Sequence, residues 1–293
     1  MISLACIRMG LALGLIGLLA FLGVAPARGQ AVSYPALGNV DAAQGTIEMW
    51  VRLETEPDGA KEVGHTYFPF WNFSAPRREA SAVSLGYQTI WSPQVFHFFF
   101  SSNGKIDGRV VANVYVATGE KWTGPGKYPL QIPPGYPPVP RLHRGEWHHL
   151  AVIWETARDT TVSLYLDGER VIPPVTLGVP IWDELDDMTF NLPSATHYPT
   201  YTIDDLRISS VARTPQEIKT TAAAGTIQAD RFTLLLDRFD SLQKIDGVTW
   251  TEPQVMCHSK GLPGGRITNP AVESVPGRAG QALRIDRVPN ERR

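Results

Sequence analysis

Cysteine, net charge and catalytic motifs are all scarce in this sequence. Its 293 residues include two cysteines, and 27 basic and 29 acidic residues leave a formal net charge of −2. No polybasic run or acidic tail occurs, so nucleic acid is not an expected partner. The sequence also lacks Gly-x-Ser-x-Gly, His-Glu-x-x-His, phosphate-loop and paired-cysteine motifs, which excludes the enzyme and zinc-site classes that those motifs mark.

The long apolar run near the start of the chain is too short to span a bilayer. Met9–Val24 contains no charged residue, but it falls short of the roughly 20 residues that a transmembrane helix needs. Arg8 precedes this run, and the small residues Ala25–Ala27 follow it where a signal peptidase reads the chain. We therefore predict a signal peptide over residues 1–27, no stable transmembrane anchor, and a secreted, periplasmic or extracellular protein.

The position of the two cysteines limits disulfide formation in the exported protein. Cys6 lies within the predicted signal peptide, so its removal leaves Cys257 as the only cysteine. The exported chain would then have no intramolecular disulfide, despite its oxidising destination. Its stability would have to come from a packed core.

Most of the remaining sequence has the pattern of strands and turns. Apolar and other residues alternate in Gly45–Glu54, which is typical of a strand with one buried face. Val95–Phe100 and Arg109–Ala117 flank a turn-rich connection and predict a hairpin. A second hairpin is predicted at Asp167–Gly168, because both central residues of a type I′ turn need positive φ. Tyr201–Ser209 is predicted to be a further strand.

One short helix is predicted among these strands. Thr214 can cap its N-terminus, Pro215 occupies its first position, Glu217 completes a capping box and Gly225 ends it. Many strands with closely spaced turns and a single helix favour an all-β sandwich or barrel.

The histidine-rich stretch His143–Glu155 is predicted to be a strand that contributes to the fold. Neighbouring residues on a strand point to opposite faces, so His148 and His149 cannot chelate one ion. Both faces of this strand are largely apolar, which indicates a central strand covered on both sides. We expect the two histidines to be hydrogen-bonded packing residues, one on each face.

Three motifs in this order carry a resemblance to a known family. They are "GTIEMWV", "GEWHHLAVIWE" with the following "VSLYLDGERV", and "IDDLRISSVARTPQEI". Together they resemble the laminin G-like, concanavalin A-like lectin/glucanase domains, in particular the secreted bacterial branch. The resemblance covers roughly Val32 to Gly225. It implies a jelly-roll sandwich of two antiparallel sheets with one short helix.

The C-terminal part resembles segments that usually lie at the start of this family's domain. These segments are Arg231–Leu242 and Pro276–Asp286. Circular permutation, a shortened second domain and strand swapping with a neighbouring molecule would each explain their position. Permutation is favoured, since two strands cannot bury their apolar faces and edges alone. We expect one β-sandwich domain over residues 32–293, completed by strands within 231–286.

The resemblance extends to glucanases, but their catalytic motif is incomplete here. That motif places three carboxylates on one strand as Glu-x-Asp-x-x-Glu. Glu184 and Asp186 fit it, but Thr189 occupies the position of the last glutamate. We therefore predict no catalytic residue and no enzymatic activity.

Calcium is the cofactor that related lectin-like domains often hold, and Asp204 and Asp205 are the candidates for it on a predicted strand. Their spacing matches no defined calcium loop, so no metal site and no cofactor are predicted. Because consecutive strand residues face opposite ways, we expect one aspartate to bind a neighbouring loop and the other to be solvated.

A proline-rich segment, residues 123–141, interrupts the strand pattern. It is predicted to be a long surface loop, either a simple insertion or a binding loop. Trp122, Tyr128 and Tyr136 offer flat aromatic faces on which a sugar can stack, and they are the predicted ligand-binding residues.

The sequence thus predicts a secreted, non-catalytic, lectin-like domain that binds a carbohydrate or another cell-surface ligand. The ligand class follows from the resemblance, because a fold alone does not define a function. Two alternatives remain open: a glycoside hydrolase or lyase with an unrecognised acid pair, and an adhesive module that binds protein. No particular oligomeric state is predicted.

Overall fold

The structure, a computed structural model, describes most of the chain between residues 30 and 286. The described ranges are 30–54, 65–74, 81–85, 88–92, 94–103, 110–116, 143–155, 161–176, 185, 188–193, 200–268 and 271–286. Between residues 65 and 116 it describes the backbone. Within these ranges, no helix has the length and apolar content needed to cross a membrane.

The described residues form strands and one helix, in agreement with the predicted class. The strands, in chain order, are β1 (Gln30–Pro35), β2 (Gln44–Leu53), β3 (His65–Ser74), β4 (Ser81–Leu85), β5 (Gln88–Ser92), β6 (Gln94–Asn103), β7 (Val110–Val116), β8 (Trp147–Glu155), β9 (Thr161–Leu166), β10 (Glu169–Thr176), β11 (Thr189–Pro193), β12 (Tyr201–Ser209), β13 (Thr233–Asp237), β14 (Leu242–Ile245), β15 (Val248–Thr251), β16 (Val255–Met256), β17 (Arg266–Ile267), β18 (Val272–Pro276) and β19 (Gln281–Ile285). The helix α1 (Pro215–Ala224) follows β12.

Two antiparallel sheets make the sandwich. An eight-stranded sheet has the order β14-β15-β17-β1-β11-β3-β6-β7, and a nine-stranded sheet contains β10-β9-β8-β2-β12-β13-β16 with β18 and β19 beside them. β4 and β5 form a separate hairpin. The predicted jelly-roll sandwich of two antiparallel sheets with one short helix is confirmed.

The main core lies between the two sheets. The nine-stranded sheet contributes the inward residues of β2, β8, β9 and β12, and the eight-stranded sheet contributes residues of β1 and β11. Among the largest fully buried side chains are Trp154, Tyr34, Tyr201 and Phe190. Burial of such side chains contributes about 1.5–3 kcal/mol each, so this layer dominates the stability of the fold.

The predicted strand around His148 and His149 is confirmed as a central strand with two buried faces. β8 pairs with β2 on one side and β9 on the other. Leu150 and Val152 pack in the main core, whereas Ala151 and Ile153 pack on the opposite face against Ile218 of α1. Because apolar residues lie on both faces of this strand, it has no polar side.

The local signals of the helix and of the Asp-Gly hairpin are also confirmed. Thr214 and Glu217 form the reciprocal capping box, and Gly225 ends α1 in the left-handed conformation with φ 77°. Asp167 and Gly168 have φ of 52° and 83° between β9 and β10, as a type I′ turn requires.

The C-terminal strands pair with strands from the N-terminal part of the chain. β13 and β19 share one edge of β12: β19 pairs with residues 201–203 of β12 and β13 pairs with residues 206–209. On the other sheet, β17 pairs with β1, and β15 and β14 extend that sheet outward. Strands from residues 233–285 therefore cover edges of both sheets.

A buried polar contact joins these C-terminal strands to β1. The Tyr34 hydroxyl donates a 2.8 Å hydrogen bond to Oδ2 of Asp237, and the Phe239 amide donates a 2.9 Å bond to Oδ1 of the same carboxyl. Burial raises the pKa of Asp237 to about 6, although these donors and Thr251 oppose the shift. A β-carbon on Gly265 would lie 2.4 Å from the Tyr34 ring, so the backbone can approach the ring only because residue 265 is glycine.

Cys257 is half-buried, and its Sγ lies 3.6 Å from the carbonyl oxygen of Thr233. The other cysteine of the sequence lies outside the described residues. The absence of an intramolecular disulfide was expected for the protein without residues 1–27, and it stays a prediction for that form.

Removal of Asp230–Arg293 should abolish cooperative folding of the remaining chain. The truncation exposes an edge of β12 and removes the buried Leu235 and Leu236 that cover it. Thermal unfolding followed by circular dichroism should show no cooperative transition for the truncated protein. A cooperative transition at the melting temperature of the full chain would show that the C-terminal strands form a separate unit.

The Asp237→Asn variant should alter the pH dependence of stability. The raised pKa of Asp237 means that its contribution to stability is fully present below about pH 4 and is lost as the pH rises through about 6. An amide keeps the group neutral, so the variant should gain stability relative to the wild type between pH 4 and pH 7, by roughly 3 kcal/mol at most.

Chemical denaturation of the wild type and of Asp237→Asn at pH 4 and at pH 7 measures this gain in the free energy of unfolding. Asp246→Asn, at an exposed turn position between β14 and β15, serves as the matched control for the loss of one charge. A difference between Asp237→Asn and wild type that stays constant with pH would contradict the assignment.

Candidate functional site

The outer face of the nine-stranded sheet is covered by α1 and the segment that follows it. Glu48 of β2 is fully buried there, and Arg207 of β12 donates to Oε2 of Glu48 at 3.0 Å through Nε. The Nε atom of Arg213 lies 3.3 Å from the same oxygen, and this arginine also binds Asp230 at 2.8 Å. Although burial alone would raise it, the pKa of Glu48 is lowered by His149, Arg207 and Arg213.

This buried ionic cluster has a structural role. Each charge is compensated by its neighbours, as a buried charge requires. Because the cluster holds the helix-flanking residues against the sheet, it leaves little of this face for a ligand.

The two adjacent histidines lie on opposite sides of β8, as predicted. Nδ1 of His148 is 2.8 Å from Oδ2 of Asp167 in the β9–β10 turn. Nε2 of His149 is 3.6 Å from Oε1 of Glu48, which is an electrostatic contact beyond ideal hydrogen-bond length. His149 also packs against Trp50, with ring centroids 5.2 Å apart. The prediction that both are hydrogen-bonded packing residues is confirmed for His148 and wrong for His149, whose two buried ring nitrogens have no partner within hydrogen-bond distance.

The prediction for Asp204 and Asp205 is wrong in one respect, since both are buried. Oδ2 of Asp204 accepts the amide of Arg278 at 2.8 Å, and Oδ2 of Asp205 accepts the amide of Ile227 at 2.8 Å. Asp205 has φ 51°, and this bulge breaks the alternation on which the prediction of a solvated aspartate rested. Burial and the charge of Asp205 raise the pKa of Asp204 to about 6.

These aspartates hold loops to the sheet at the point where β12 changes partner from β19 to β13. Among the residues that the structure describes, no group of three or more histidine, cysteine, aspartate or glutamate side chains is arranged to hold a metal ion. The candidate segment around Glu184 and Asp186 lies outside the described residues.

The eight-stranded sheet carries a different kind of surface. Strand pairing aligns one residue from each of the eight strands in a single line across the sheet. Residues paired in this way lie on the same face of the sheet. We call this set the outer row: Gln243, Trp250, Arg266, Ser33, Asn191, Asn72, His97 and Tyr115. Every member is polar or aromatic, and none is a carboxylate.

The chain neighbours of the outer row show which face it occupies. Tyr34 and Phe190, next to Ser33 and Asn191, are fully buried in the core between the sheets. Ile267, next to Arg266, also packs against that core. Because successive strand residues alternate between faces, the outer row lies on the face that points away from the core.

The register row next to the outer row contains Tyr34 and Phe190, which are buried in the core. In the register, Phe190 pairs with Phe73, Phe73 with Phe96, and Phe96 with Val116. An antiparallel sheet with one face packed on the core has this alternation of apolar and polar rows.

The described side chains of the outer row are held in fixed positions. Oγ of Ser33 donates a 2.7 Å hydrogen bond to Oδ1 of Asn191, and Nδ2 of Asn191 donates to the Thr189 carbonyl at 3.2 Å. Trp250 is 7 % exposed, and Arg266 is half-buried beside it in the register. Ser33 and Asn191 are buried as well, at 5 % and 0 % exposure, so the described centre of the outer row is covered and supports the fold.

The predicted ligand-binding residues Trp122, Tyr128 and Tyr136 lie outside the described residues. Their role stays a prediction. Sequence reasoning missed the outer row, although a signal for it exists. Single polar residues stand between apolar neighbours in Ala31–Tyr34, Phe190–Leu192 and Trp71–Phe73. Such residues meet only if their strands lie side by side in the sheet. Local sequence patterns do not show which strands are neighbours.

The two antiparallel sheets and the core between them define the class as a jelly-roll β-sandwich domain. A family model described as the concanavalin A-like lectin/glucanases superfamily matches residues 26–219. The chain therefore belongs to this superfamily, and the resemblance carried by its three motifs is confirmed. No curated protein matches the sequence.

Solved structures with a similar fold are distant in sequence. A pentraxin from Limulus polyphemus has 12 % identity and a TM-score of 0.41, and the match covers 69 % of this chain and 76 % of that chain. A protein from Bacteroides ovatus assigned to carbohydrate binding has 13 % identity and a TM-score of 0.40, with 89 % of this chain and 58 % of that chain covered. An alginate lyase has 13 % identity and a TM-score of 0.37, over 59 % of this chain and 71 % of that chain.

Proposed function

We propose that the chain binds a carbohydrate without cleaving it. The observation that carries this proposal is the match of residues 26–219 to a superfamily of lectins and glucanases. Sugars need both hydrogen-bonding groups for their hydroxyls and flat apolar surfaces for their rings. The predicted binding residues Trp122, Tyr128 and Tyr136 would supply such flat surfaces.

The incomplete glucanase motif supports binding in preference to hydrolysis. Most glycosidases use two carboxylates that flank the bond to be cleaved. Thr189 occupies the position of the last glutamate of that motif. The buried carboxylates of the nine-stranded sheet, such as Glu48 and Asp205, already bind arginine or backbone groups.

We further propose that the protein acts outside the cytoplasm after removal of residues 1–27. The support is the pattern of a charged start, an apolar run and small residues before the sandwich begins. A polysaccharide or another cell-surface ligand would be encountered there.

Glycan binding and turnover can be measured in parallel. We expect retention of at least one polysaccharide on an array, with no release of reducing ends and no ultraviolet absorbance from an unsaturated product. Release of either product would establish an enzyme in place of a lectin. Absence of binding across neutral and acidic glycans would overturn the proposed function.

A triple variant tests the contribution of the proline-rich loop. Replacement of Trp122, Tyr128 and Tyr136 by alanine should weaken binding, because it removes the aromatic faces on which a sugar ring can stack. Gln216→Ala combined with Thr220→Ala, on the exposed side of α1, is the matched control and should keep the wild-type Kd. Unchanged affinity of the triple variant would remove the loop from the site.

Export is tested by the mass of the mature protein. Protein recovered from outside the cytoplasm should lack residues 1–27, or a few residues more. An intact N-terminus retained in the membrane fraction would show that the apolar run acts as an anchor.

A further inference from the structure

The turn between β18 and β19 covers one face of a buried tryptophan. Residues 277–280 form this turn, which we call the strap. The guanidinium carbon of Arg278 lies 3.9 Å from the centroid of the Trp50 ring, and Nε of Arg278 donates a 2.8 Å hydrogen bond to the Gly225 carbonyl after α1. Trp50 is 4 % exposed, whereas Arg278 is exposed. The strap therefore lies between the tryptophan ring and solvent.

Polar contacts, not apolar packing, attach the strap to the sheet. Oδ2 of Asp204 accepts the backbone amides of Arg278 at 2.8 Å and Ala279 at 3.3 Å. Next to the strap, the Gln281 amide donates a 3.0 Å hydrogen bond to Oδ1 of Asp240. No residue of the strap belongs to the hydrophobic cores of the described chain. Segments with little apolar burial open locally at a low cost in free energy, so the state of Asp204 decides how firmly the strap is held.

The Asp204 carboxyl is buried without a counter-charge. It is 1 % exposed, and its Oδ1 atom has no hydrogen-bond partner. The neighbouring Asp205 is also buried, and its Oδ1 atom likewise has no hydrogen-bond partner. The arginines on the surrounding elements have other partners: Arg207 binds Glu48, Arg238 lies 3.7 Å from Asp205, Arg278 binds the Gly225 carbonyl and Arg284 binds Asp286.

Burial and a like charge both disfavour ionisation of Asp204. Burial, followed by the charge of Asp205, raises the pKa of Asp204 to about 6, although the two amides of the strap favour the ionised form. The other titratable groups on the elements around this carboxyl are Asp240 after β13, and Glu48 and His149, which lie beside Trp50 on β2 and β8. None of these groups supplies a cation that contacts Asp204.

We propose that the strap is a pH-sensitive cover of Trp50, which is closed while Asp204 is protonated and opens locally as Asp204 ionises. A protonated carboxyl still accepts both amides through its carbonyl oxygen, and Oδ1 then carries the proton. An ionised carboxyl beside Asp205 is stabilised by water, which reaches it when the strap lifts. Because the pKa is raised in the closed form, closure is fully favoured below about pH 4 and loses stability as the pH rises through about 6. This device does not depend on the proposed carbohydrate binding.

Hydrogen exchange of the strap amides tests the proposal with the unmodified protein. Exchange of the Arg278 and Ala279 amides is followed by NMR at pH 5 and pH 7, and each rate is corrected for the intrinsic rate at that pH. We expect the protection of both amides to fall about tenfold from pH 5 to pH 7. The indole N–H of Trp50 should lose protection in parallel. The amides of β8 report global unfolding, so faster exchange in the strap identifies local opening.

An Asp204→Asn variant tests whether this carboxyl is the group that titrates. Its amide oxygen can accept the same two hydrogen bonds without a charge, so the protection of the strap should become independent of pH. Asp240→Asn is the matched control, because Asp240 is exposed and accepts the Gln281 amide in the same hairpin. This control should keep the tenfold change.

Each outcome supports or overturns the proposal. Equal protection at pH 5 and pH 7 in the wild type would overturn the pH-sensitive strap. A change with pH that persists in folded Asp204→Asn would overturn the role of Asp204. If that variant does not fold, the carboxyl carbon resonance of Asp204 in the wild type decides. We expect a titration midpoint near 6, and a midpoint at the ordinary value of about 4 would contradict the proposal.

Discussion

The hydrogen bond between Tyr34 and Asp237 is the contact that ties the C-terminal strands to the first strand of the sandwich. It joins the first strand of the described chain to a strand near its end, 203 positions apart, in a fully buried place. Gly265 approaches the Tyr34 ring at the same point, and its chain neighbour is Arg266. Ser33 is likewise the chain neighbour of Tyr34. The contact that fixes the inward residues therefore also sets the spacing of Ser33 and Arg266 on the outward face.

The outer faces of the two sheets are both largely covered where the structure describes them. The outer face of the nine-stranded sheet is occupied by α1 and by a compensated ionic cluster around Glu48. On the eight-stranded sheet, Ser33, Asn191 and Trp250 of the outer row are buried. Compensated charges and hydrogen-bonded polar pairs are what a covered face requires.

Local signals in the sequence predict much of this fold and little of the site. The capping box at Thr214 and the Asp167–Gly168 turn depend on residues a few positions apart, so the sequence is sufficient for both. The burial of Asp205 was not predicted because a β-bulge reverses the direction of its side chain. A bulge leaves no clear local signal in the sequence. The Ser33–Asn191 pair spans 158 positions and exists only after β1 and β11 have paired. Long-range strand order is the information that local periodicity lacks.

The central claim is that the chain binds a carbohydrate without cleaving it. Chemical-shift changes of isotope-labelled protein on addition of an oligosaccharide test it most directly. The account predicts that the changes are confined to one group of amides and saturate with ligand, while the oligosaccharide stays intact. Absence of any change, or cleavage of the oligosaccharide, would contradict it.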